Sequence, residues 1–564
     1  MSSLAKSSSL NGKKIIFDNV DYARKVHQMS ETHQNMLHHW VTYMSTENRL
    51  PGHHLPAGKP IGSIDKVENA IYLPSKKDHI KQRLDYVYLV ARLITRHIPC
   101  LQFLRTVVKE HMPHKFSHST GLATKTVFHG CIYENENDSD GIQKVLKKLH
   151  TLVPVYEEDG EKKFGEQGIV GDQLSVERGV NCLLQVSNGF SSEDRFDGIH
   201  FEIGDFHAAM KFLQIGFDRF YTGASAADHC TLFADSVLIN RRNVGSDVRS
   251  RYNPCKQFFL MEVEARLIAA VMELLKMTSI EDIPDKNILQ EKLKTETLAK
   301  KREFLENLAA TVVDSHIMQI DKVANYLASV NLPTKIEVQQ YKGSDDDIYN
   351  YQIALLEFGM IVKNFFDAIS EGDGDRLLRN WKFMLLYLKE DGRGSTKYAL
   401  EAFYLISQAN CLLSERAAFR MVWNRFSKTK HGWGGNIPLD LALEHLNRLL
   451  KNVLRMLGPN ATNQKAVDRY CKALMTRKSL IDLWDKSSSF IKQSGKHTMS
   501  CADGDLRKIV KELIECHALR KIPKRRYQYF KRVKSSLIAN LDMTSLFAWI
   551  EKHKKFIKER KAAR

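Results

Sequence analysis

Long hydrophobic runs are what this 564-residue sequence most clearly lacks. No stretch approaches the ~18–20 apolar residues of a membrane-spanning helix, so we expect no membrane span. The first residues, MSSLAKSSSLNGKK, have no apolar centre of a secretory signal. Nine cysteines in the whole chain do not make a disulfide scaffold. Neither a Walker phosphate loop nor a G-x-G-x-x-G run is present, which argues against those nucleotide sites.

The composition is that of a soluble globular protein with a large basic surplus. Apolar residues make up 43% of the chain and charged residues 27%, which is enough material for a core. The 84 Lys and Arg residues exceed the 66 Asp and Glu residues, so the formal net charge is +18. Such a surplus favours polyanionic partners, with nucleic acid ahead of an anionic membrane. We therefore predict a soluble, intracellular protein of several domains.

The first half of the chain alternates strand and helix patterns. The apolar run 15–17 predicts a buried strand with Asp18 near its end, and 35–44 is a second strand candidate. The segment GIVGDQLS (168–175) predicts a short strand that ends in Asp172. A helix is predicted over 175–189, with Ser175 as its N-cap and Gly189 just past its end. Residues 198–221 then read as a strand that continues into a helix.

Helical periodicity dominates after residue 256. Between 256 and 430 the apolar spacing predicts one helix after another, without hairpin signals between them. A further helix is predicted after Gly434-Gly435, with Asn436 as its cap and Pro438 in its first turn. Its leucines form one apolar stripe. A polar stripe lies roughly 100–120° away and places two carboxylates at the lip of the buried face. That polar stripe consists of Asp440, Glu444, Asn447 and Lys451.

Three acidic residues could be the ligands of a two-metal site that cleaves phosphodiesters. Asp18 and Asp172 follow short apolar strands, and Glu444 lies on the amphipathic helix. Carboxylates are hard oxygen ligands suited to Mg²⁺ or Mn²⁺, and two such ions can clamp the attacking and leaving oxygens of an in-line displacement. The alternative is that each acid is only a strand-end cap or a solvated helix-face charge, because the chain offers 66 acids to choose among.

Seven segments, in order along the chain, resemble a eukaryotic family of unknown function that occurs in fungi and invertebrate animals. They are FDNVDY, HMPHKFS, YENEND, GDQLSVERG, IGDFHAAMKFLQ, INRRNV and IPLDLALEHLNRLLK. GDQLSVERG is the most specific single piece, and the ordered combination is more specific still. The resemblance spans roughly residues 13–475 and implies an origin in transposable elements.

The layout also resembles, more distantly, hAT-type transposases with an RNase H-like fold and a catalytic DDE triad. In those proteins the acids lie on the first strand, on the fourth strand and on the helix after a large all-α insertion. The resemblance places Asp18, Asp172 and Glu444 at these positions. His207 falls near the His of a Cys-x-x-His motif, but Gly204 stands at the Cys position, which leaves the role of His207 open. Asp440 is an alternative third acid.

The resemblance implies an α/β fold in which an RNase H-like core is interrupted by a large all-α insertion, with helix predominant overall. The expected parts are a disordered segment 1–12, a core 13–255 with an inserted helical and loop segment 49–165, an all-α insertion 256–430, a core-completing helix region 431–475 and a basic helical tail 476–564. No zinc-finger DNA-binding domain precedes the core, so we expect a truncated or domesticated copy.

The basic C-terminal segment is the predicted DNA contact. KIPKRRYQYFKRVKSS interleaves basic residues with aromatic ones, so that the cations could neutralise phosphates while Tyr527 or Phe530 stacks on unpaired bases. The candidate cations are Lys524, Arg525, Arg526, Lys531 and Arg532. The same segment could act as a nuclear localisation signal, or it could be a solvated helix face. We predict a nuclear location, with the cytoplasm as the alternative.

The sequence leaves two main functions in competition, with a cytosolic helical scaffold that binds no nucleic acid as a third reading. One is a DDE-type nuclease or strand transferase that uses Mg²⁺ or Mn²⁺ to attack DNA phosphodiesters. The other is a catalytically inactive, domesticated nuclear protein that binds DNA or supports an assembly, and either could form a homo-oligomer. A zinc site at His97-x-x-Cys100 and His111-x-x-His114 has ligand spacing, but we expect a helix end and a turn there instead.

Overall fold

The computed structural model describes residues 11–24, 28–32, 34–284, 291–318, 345–392, 396–488 and 499–562. Of the segment 1–12 predicted to be disordered, the first ten residues lie outside this range. The fold is mixed α/β and predominantly helical. The strands are β1 (Lys13–Arg24), β2 (Met36–Glu47), β3 (Thr126–Ile132), β4 (Val155–Glu158), β5 (Glu161–Phe164), β6 (Gln167–Gly171), β7 (Ile199–Ile203), β8 (Phe426–Ser427) and β9 (Ile437–Pro438).

Helices fill most of the rest of the described chain. They are α1 (Lys76–His97), α2 (Ser117–Thr120), α3 (Ser139–His150), α4 (Gln173–Gln185), α5 (Asp205–Phe220), α6 (Leu232–Leu238), α7 (Tyr252–Leu274), α8 (Leu298–Val312), α9 (Asp347–Glu371), α10 (Gly374–Asp391), α11 (Thr396–Ser407), α12 (Glu415–Trp423), α13 (Leu439–Leu457), α14 (Gln464–Ser488), α15 (Met499–Glu515) and α16 (Met543–Ala562). Among them, none is long and apolar enough to cross a membrane.

A five-stranded sheet in the order β3–β2–β1–β6–β7 forms the centre of the α/β part. β1 is antiparallel to β2, and β2 is antiparallel to β3. β6 runs parallel to β1, with Ile16 opposite Val170, and β7 runs parallel to β6. Within this sheet, as described, β2 runs against the other four strands. The Asp18 strand and the Ile169-Val170 strand therefore lie side by side.

Helices cover both faces of the sheet. Ile15 and Phe17 pack with residues of α3 and α4 on one face, whereas Ile16 packs with leucines of α13 and with residues of α14 on the other. Side chains alternate between the two faces of a strand, so a strand that is covered on both sides needs an unbroken apolar run. This explains the continuous Ile15-Ile16-Phe17 sequence.

Three local predictions were wrong in detail. Asp18 lies in the middle of β1, because β2 pairs with β1 far beyond the point where β6 ends. Asp172 rather than Ser175 caps α4, since its Oδ1 accepts a hydrogen bond from the Ser175 amide at 2.7 Å, and the helix ends at Gln185, well before Gly189. Aspartate is among the strongest N-cap residues, so it supplants the serine that follows it.

The start of α13 also differs from the prediction. Asn436 does not cap the helix, because its side-chain amide donates to the Ser370 carbonyl at 3.1 Å. Pro438 occupies the N-cap position and pairs as part of β9 with β8. The helix ends at Leu457, with Gly458 as its C-cap. The short pairing of β8 with β9 fixes the first turn of α13 against the body of the protein.

The long helical region shares a core with elements outside it. Between 256 and 430 the described residues are helical, apart from short connections and the two-residue strand β8. Buried residues of α7, α9 and α10 join those of α1, α5, α15 and α16 in one apolar cluster.

β3 belongs to the central sheet although it lies within 49–165, so the sheet takes an edge strand from the segment expected to be an insertion. The domain boundaries themselves stay predictions.

Candidate metal centre

Asp18 in β1 and Asp172, the first residue after β6, lie close together. Two residues beyond the pair Ile16 and Val170, the register of β1 and β6 brings Asp18 beside Asp172, where β6 ends and α4 begins. The Asp172 carboxylate keeps its second oxygen available while Oδ1 caps the helix. The sheet therefore holds the two predicted aspartates in one place, with rigid backbone under both.

Helix α13 adds polar side chains from the face of the sheet. Asp18 is buried, and its Oδ2 accepts a hydrogen bond from the Asn447 amide at 3.0 Å. The Thr42 hydroxyl on β2 donates to Asn447 Oδ1 at 2.5 Å and so fixes the orientation of that amide. Glu444 lies one turn before Asn447 on the same stripe, and its side chain is 37% exposed. Glu444 thus presents a carboxylate to solvent beside the buried Asp18.

Asp440, the alternative third acid, is occupied by the backbone of α5. Its carboxylate accepts hydrogen bonds from the amides of Phe206 and His207, at 3.0 and 3.1 Å to Oδ2. A Cβ atom at Gly204 would lie 2.4 Å from Asp440 Oδ2, so a cysteine at that position would clash. The glycine at the expected cysteine position therefore permits the close approach of α13. Asp440 acts as a cap, which leaves Glu444 as the accessible acid.

His207 connects the two acids of α13. Its Nδ1 lies 3.2 Å from Asp440 Oδ2, and its Nε2 lies 3.9 Å from Glu444 Oε1. Burial alone would lower the pKa of His207, but the hydrogen bond and charge of Asp440, with the charges of Asp18 and Asp172, raise that pKa to about 9. At neutral pH the imidazole is therefore a cation among carboxylates.

Glu136 is a site residue that sequence reasoning missed. It lies in the polar loop before α3, and its side chain is fully buried. Its Oε1 accepts hydrogen bonds from Asn19 Nδ2 at 2.6 Å and from the Ser175 hydroxyl at 2.7 Å. Glu136 thus joins the segment that carries Asp18 to the segment that carries Asp172. Its Oε2 is buried and has no hydrogen-bond partner in the described part of the chain.

Burial and neighbouring carboxylates raise the pKa values of Asp18 and Glu136. Burial raises the pKa of Asp18 well above its ordinary value, Glu444 adds to the rise, His207 opposes it, and Asp172 and Glu136 raise it further. Burial also raises the pKa of Glu136 to about 7, with a smaller contribution from the charge of Asp172. These shifts favour the neutral, protonated forms of Asp18 and Glu136.

This donor set fits a hard divalent cation. Neighbouring carboxylates, together with the unpartnered Glu136 oxygen, would suit Mg²⁺ or Mn²⁺, which prefer oxygen ligands. Within the described ranges, no three His, Cys, Asp or Glu side chains already stand in the arrangement of a metal site. Ligand side chains would have to turn toward the cation.

The residues of the disfavoured zinc site have other partners. His111 Nδ1 lies 2.9 Å from Glu371 Oε1, and His114 Nε2 lies 3.1 Å from the Glu371 carbonyl oxygen. His97 is the last residue of α1, and Cys100 lies in the turn that follows. His111 and His114 thus tie the segment before α2 to the end of α9.

The predicted DNA-contact residues near the C-terminus divide into two groups. Arg525 Nη2 lies 2.6 Å from Asp346 Oδ2, and Arg526 pairs with Asp345 and Asp347. Tyr527 is buried, and its hydroxyl donates to the His229 carbonyl at 2.7 Å, so its ring is not on the surface. Lys524, Lys531 and Arg532 are exposed and form no ion pair within the described residues, whereas Arg526 is exposed but paired. This segment is non-helical and packs against the start of α9.

Comparison with known proteins gives one match. Searches of curated proteins and of solved structures find none. The model of a family described as "Family of unknown function (DUF6589)" matches residues 63–497, most of the chain. That region contains Asp172, His207, Asp440 and Glu444, whereas Asp18 precedes it. The predicted resemblance to a family of unknown function is confirmed, and the chain belongs to the DUF6589 family.

Proposed function

We propose that this protein is a transposase-like nuclease or strand transferase that attacks DNA phosphodiesters with the help of divalent metal ions, and that it derives from a transposable element. One observation carries the proposal: Asp18 in β1 lies beside Asp172, the first residue after the parallel strand β6, and α13, which carries Glu444, packs on these strands. The charge coupling between these three acids is what a shared cation would relieve.

We assign the central sheet to an RNase H-like core. The assignment rests on the strand order and on the reversed direction of β2. In chain order β6 is the fourth strand of this sheet and β7 the fifth, and a long helical region separates β7 from α13. The resemblance to hAT-type transposases implies the same placement for its two aspartates, its insertion and its glutamate.

Asp18, Asp172 and Glu444 would hold the metal ions, with Glu136 nearby as a further carboxylate. A bound divalent cation polarises the scissile phosphate and favours deprotonation of the attacking water or DNA 3′-OH. Asn447 keeps the Asp18 carboxylate in one orientation through its 3.0 Å hydrogen bond. His207 balances part of the local negative charge and carries a proton on Nε2 beside Glu444. The chain thus supplies one carboxylate held in a fixed orientation, further acids close to it and one adjacent cation.

Cleavage of labelled duplex DNA with Mn²⁺ tests the proposal. The test variant is Asp172→Asn, because asparagine keeps the helix cap of α4 while it removes a metal-binding charge. We expect cleavage to fall by at least ~10²-fold in this variant and to stop in EDTA. The matched control is Asp373→Asn, the same change at the cap of α10, which should cleave like the wild type. Equal cleavage in all samples would contradict the proposal.

The rival proposal is a domesticated, catalytically inactive nuclear protein that binds DNA or supports an assembly. The net charge of +18 favours it, because phosphate neutralisation needs cations and not the acids. It predicts DNA binding that is indifferent to Mn²⁺ and to Asp172→Asn, with no cleavage in any sample. A nuclear location is part of both proposals, and microscopy of a fluorescent fusion tests it.

A further inference from the structure

A basic hollow of about 700 Å³ opens to solvent at the start of α7. Its polar lining includes Arg242, Asn243, Arg249, Arg251, Tyr252 and Asn253. The three guanidinium groups thus lie around one concave surface. The hollow is wide and open, which suits an extended polymer better than an enclosed small molecule.

The arginines of the hollow have no acidic partners among the residues that the structure describes. All three are exposed, and within those ranges no carboxylate lies at ion-pair distance from any of them. Arg242 Nε donates to Asn240 Oδ1 at 2.9 Å, which leaves its other nitrogens for a ligand. Arg241, by contrast, forms an ion pair, because its Nη2 lies 2.8 Å from Asp505 Oδ2. Its role is therefore to stabilise the fold. Neighbouring arginines of INRRNV therefore have different roles.

The hollow adjoins the candidate metal centre. The Tyr252 ring stands edge-on to the Phe206 ring at 5.1 Å, and the Phe206 ring lies 4.9 Å from that of His207. The Phe206 amide donates to Asp440. On α11, burial raises the pKa of Tyr398, Asp172 adds to that rise, and Arg249 opposes it. Tyr398 therefore lies within the electrostatic reach of both sites.

We propose that the Arg242, Arg249 and Arg251 hollow binds the phosphate backbone of a DNA strand beside the scissile bond and delivers that bond to the Asp18, Asp172 and Glu444 cluster. This inference rests on the proposed function, since it names how the same site holds its substrate. Clustered carboxylates repel a phosphodiester, so the enzyme needs fixed cations next to them. Guanidinium groups donate two parallel hydrogen bonds to phosphate, which positions a strand without reading its sequence.

The test compares two triple variants with equal loss of charge. In the first, Arg242, Arg249 and Arg251 become glutamine. In the control, the exposed lysines Lys76, Lys77 and Lys81 of α1 become glutamine. Binding to labelled duplex DNA is measured by fluorescence anisotropy in EDTA over a series of salt concentrations. A third variant with lysine at the three arginine positions keeps the charge and checks that the surface still folds.

We expect the glutamine variant of the hollow to bind DNA about 10-fold or more weakly at 0.1 M salt. The slope of log K against log salt should fall by about 2–3, close to one for each phosphate that an arginine no longer neutralises. The lysine variant should keep the slope, and the α1 control should change affinity less than about 2-fold. Equal weakening in the hollow and α1 variants, or no weakening in either, would overturn the proposal.

Cleavage by the same variants separates this inference from the proposed function. If the hollow variant loses DNA binding but the wild type does not cleave DNA, the hollow remains a DNA-binding site and the nuclease proposal is wrong. If the wild type cleaves DNA and the hollow variant binds and cleaves it equally well, the nuclease proposal stands and the proposal for the hollow is wrong. RNA of the same sequence serves as a competitor, and preferential binding of RNA would overturn the assignment to DNA.

Discussion

Glu136 holds two chain segments at fixed positions although it is a poor candidate by sequence pattern. Glu136→Ala would leave Asn19 Nδ2 and the Ser175 hydroxyl without their acceptor inside the protein. We expect this change to lower the free energy of unfolding by about 1–3 kcal/mol. Glu136→Gln keeps an acceptor oxygen and removes a charge near Asp172, so it should be at least as stable as the wild type. Urea denaturation in EDTA measures both, and equal stability of the two variants would contradict the positioning role.

The contrast between Glu136 and Asp172 explains what could be predicted about the site. Asp18 and Asp172 each follow an apolar run, and a strand signal beside an acid is visible in the sequence. Glu136 stands in ENENDSD, where its neighbours have the same chemistry and no periodicity separates it from them. Only its contacts with Asn19 and Ser175, which are distant in sequence, single it out. Tertiary contacts of this kind leave no local pattern.

The charge on His207 makes stability depend on pH in a defined direction. The groups that face it are Asp440 and Glu444 on α13, Asp18 on β1 and Asp172 after β6. Its pKa is raised from 6.5 to about 9, so the stabilisation is complete below about pH 6.5 and is lost as the pH rises through about 9. His207→Gln should therefore be less stable than the wild type at pH 6, and the difference should shrink by pH 9.5.

Urea denaturation in EDTA between pH 6 and pH 9.5 measures this dependence. The exposed His53→Gln serves as a control, and its stability should follow the wild type throughout. A difference between wild type and His207→Gln that stays constant or grows with pH would contradict the raised pKa of the imidazole.

Helix α13 positions Glu444 and Asn447 because its apolar stripe is anchored on the sheet. Leu443 is fully buried and belongs to the cluster that contains Ile16 and Val170. Leu443→Ala should lower the free energy of unfolding by about 2–5 kcal/mol, through reduced burial and a cavity. Cleavage should fall as well, since the helix would lose its registration against β1. Met456→Ala, at a position 73% exposed on the same helix, should change neither quantity.

At the scale of helices and strands, a regular spacing of apolar residues predicts the element correctly, whereas a mixture of polar and apolar residues does not. The Ile15–Phe17 run and the leucine stripe of α13 predict a strand covered on both faces and an amphipathic helix, and both are present. β3, with the sequence TVFHGCI, has polar and glycine residues within an edge strand, so no clear strand pattern marks it. The basic segment 521–536 has the composition of a solvated tail, yet Tyr527 is buried by contacts with distant parts of the chain.

On the scale of the whole molecule, some basic residues are paired with acids inside the fold, whereas others are exposed and unpaired within the described residues. Several cations of the predicted DNA-binding tail, such as Arg525 and Arg526, are paired with acids at the start of α9. The hollow formed by Arg242, Arg249 and Arg251 has exposed guanidinium groups and adjoins the acid cluster. The net charge of +18 therefore does not by itself locate a DNA surface, because some of the basic residues are already used by the fold.

Binding of a divalent cation should stabilise the whole folded chain. The acids that raise the pKa of Asp18 are held together by the fold and separate on unfolding, so Mn²⁺ should bind the native state in preference to the unfolded chain. A concentration 100-fold above the dissociation constant adds about 2.7 kcal/mol to the free energy of unfolding.

We expect the wild type to melt at higher temperature in Mn²⁺ than in EDTA. Asp172→Asn and Glu444→Gln should lose most of this increase, whereas Asp373→Asn, the cap of α10, should keep it. Thermal denaturation monitored by circular dichroism measures the effect without any assay of cleavage. An equal increase in all four proteins would assign the cation to another place on the surface.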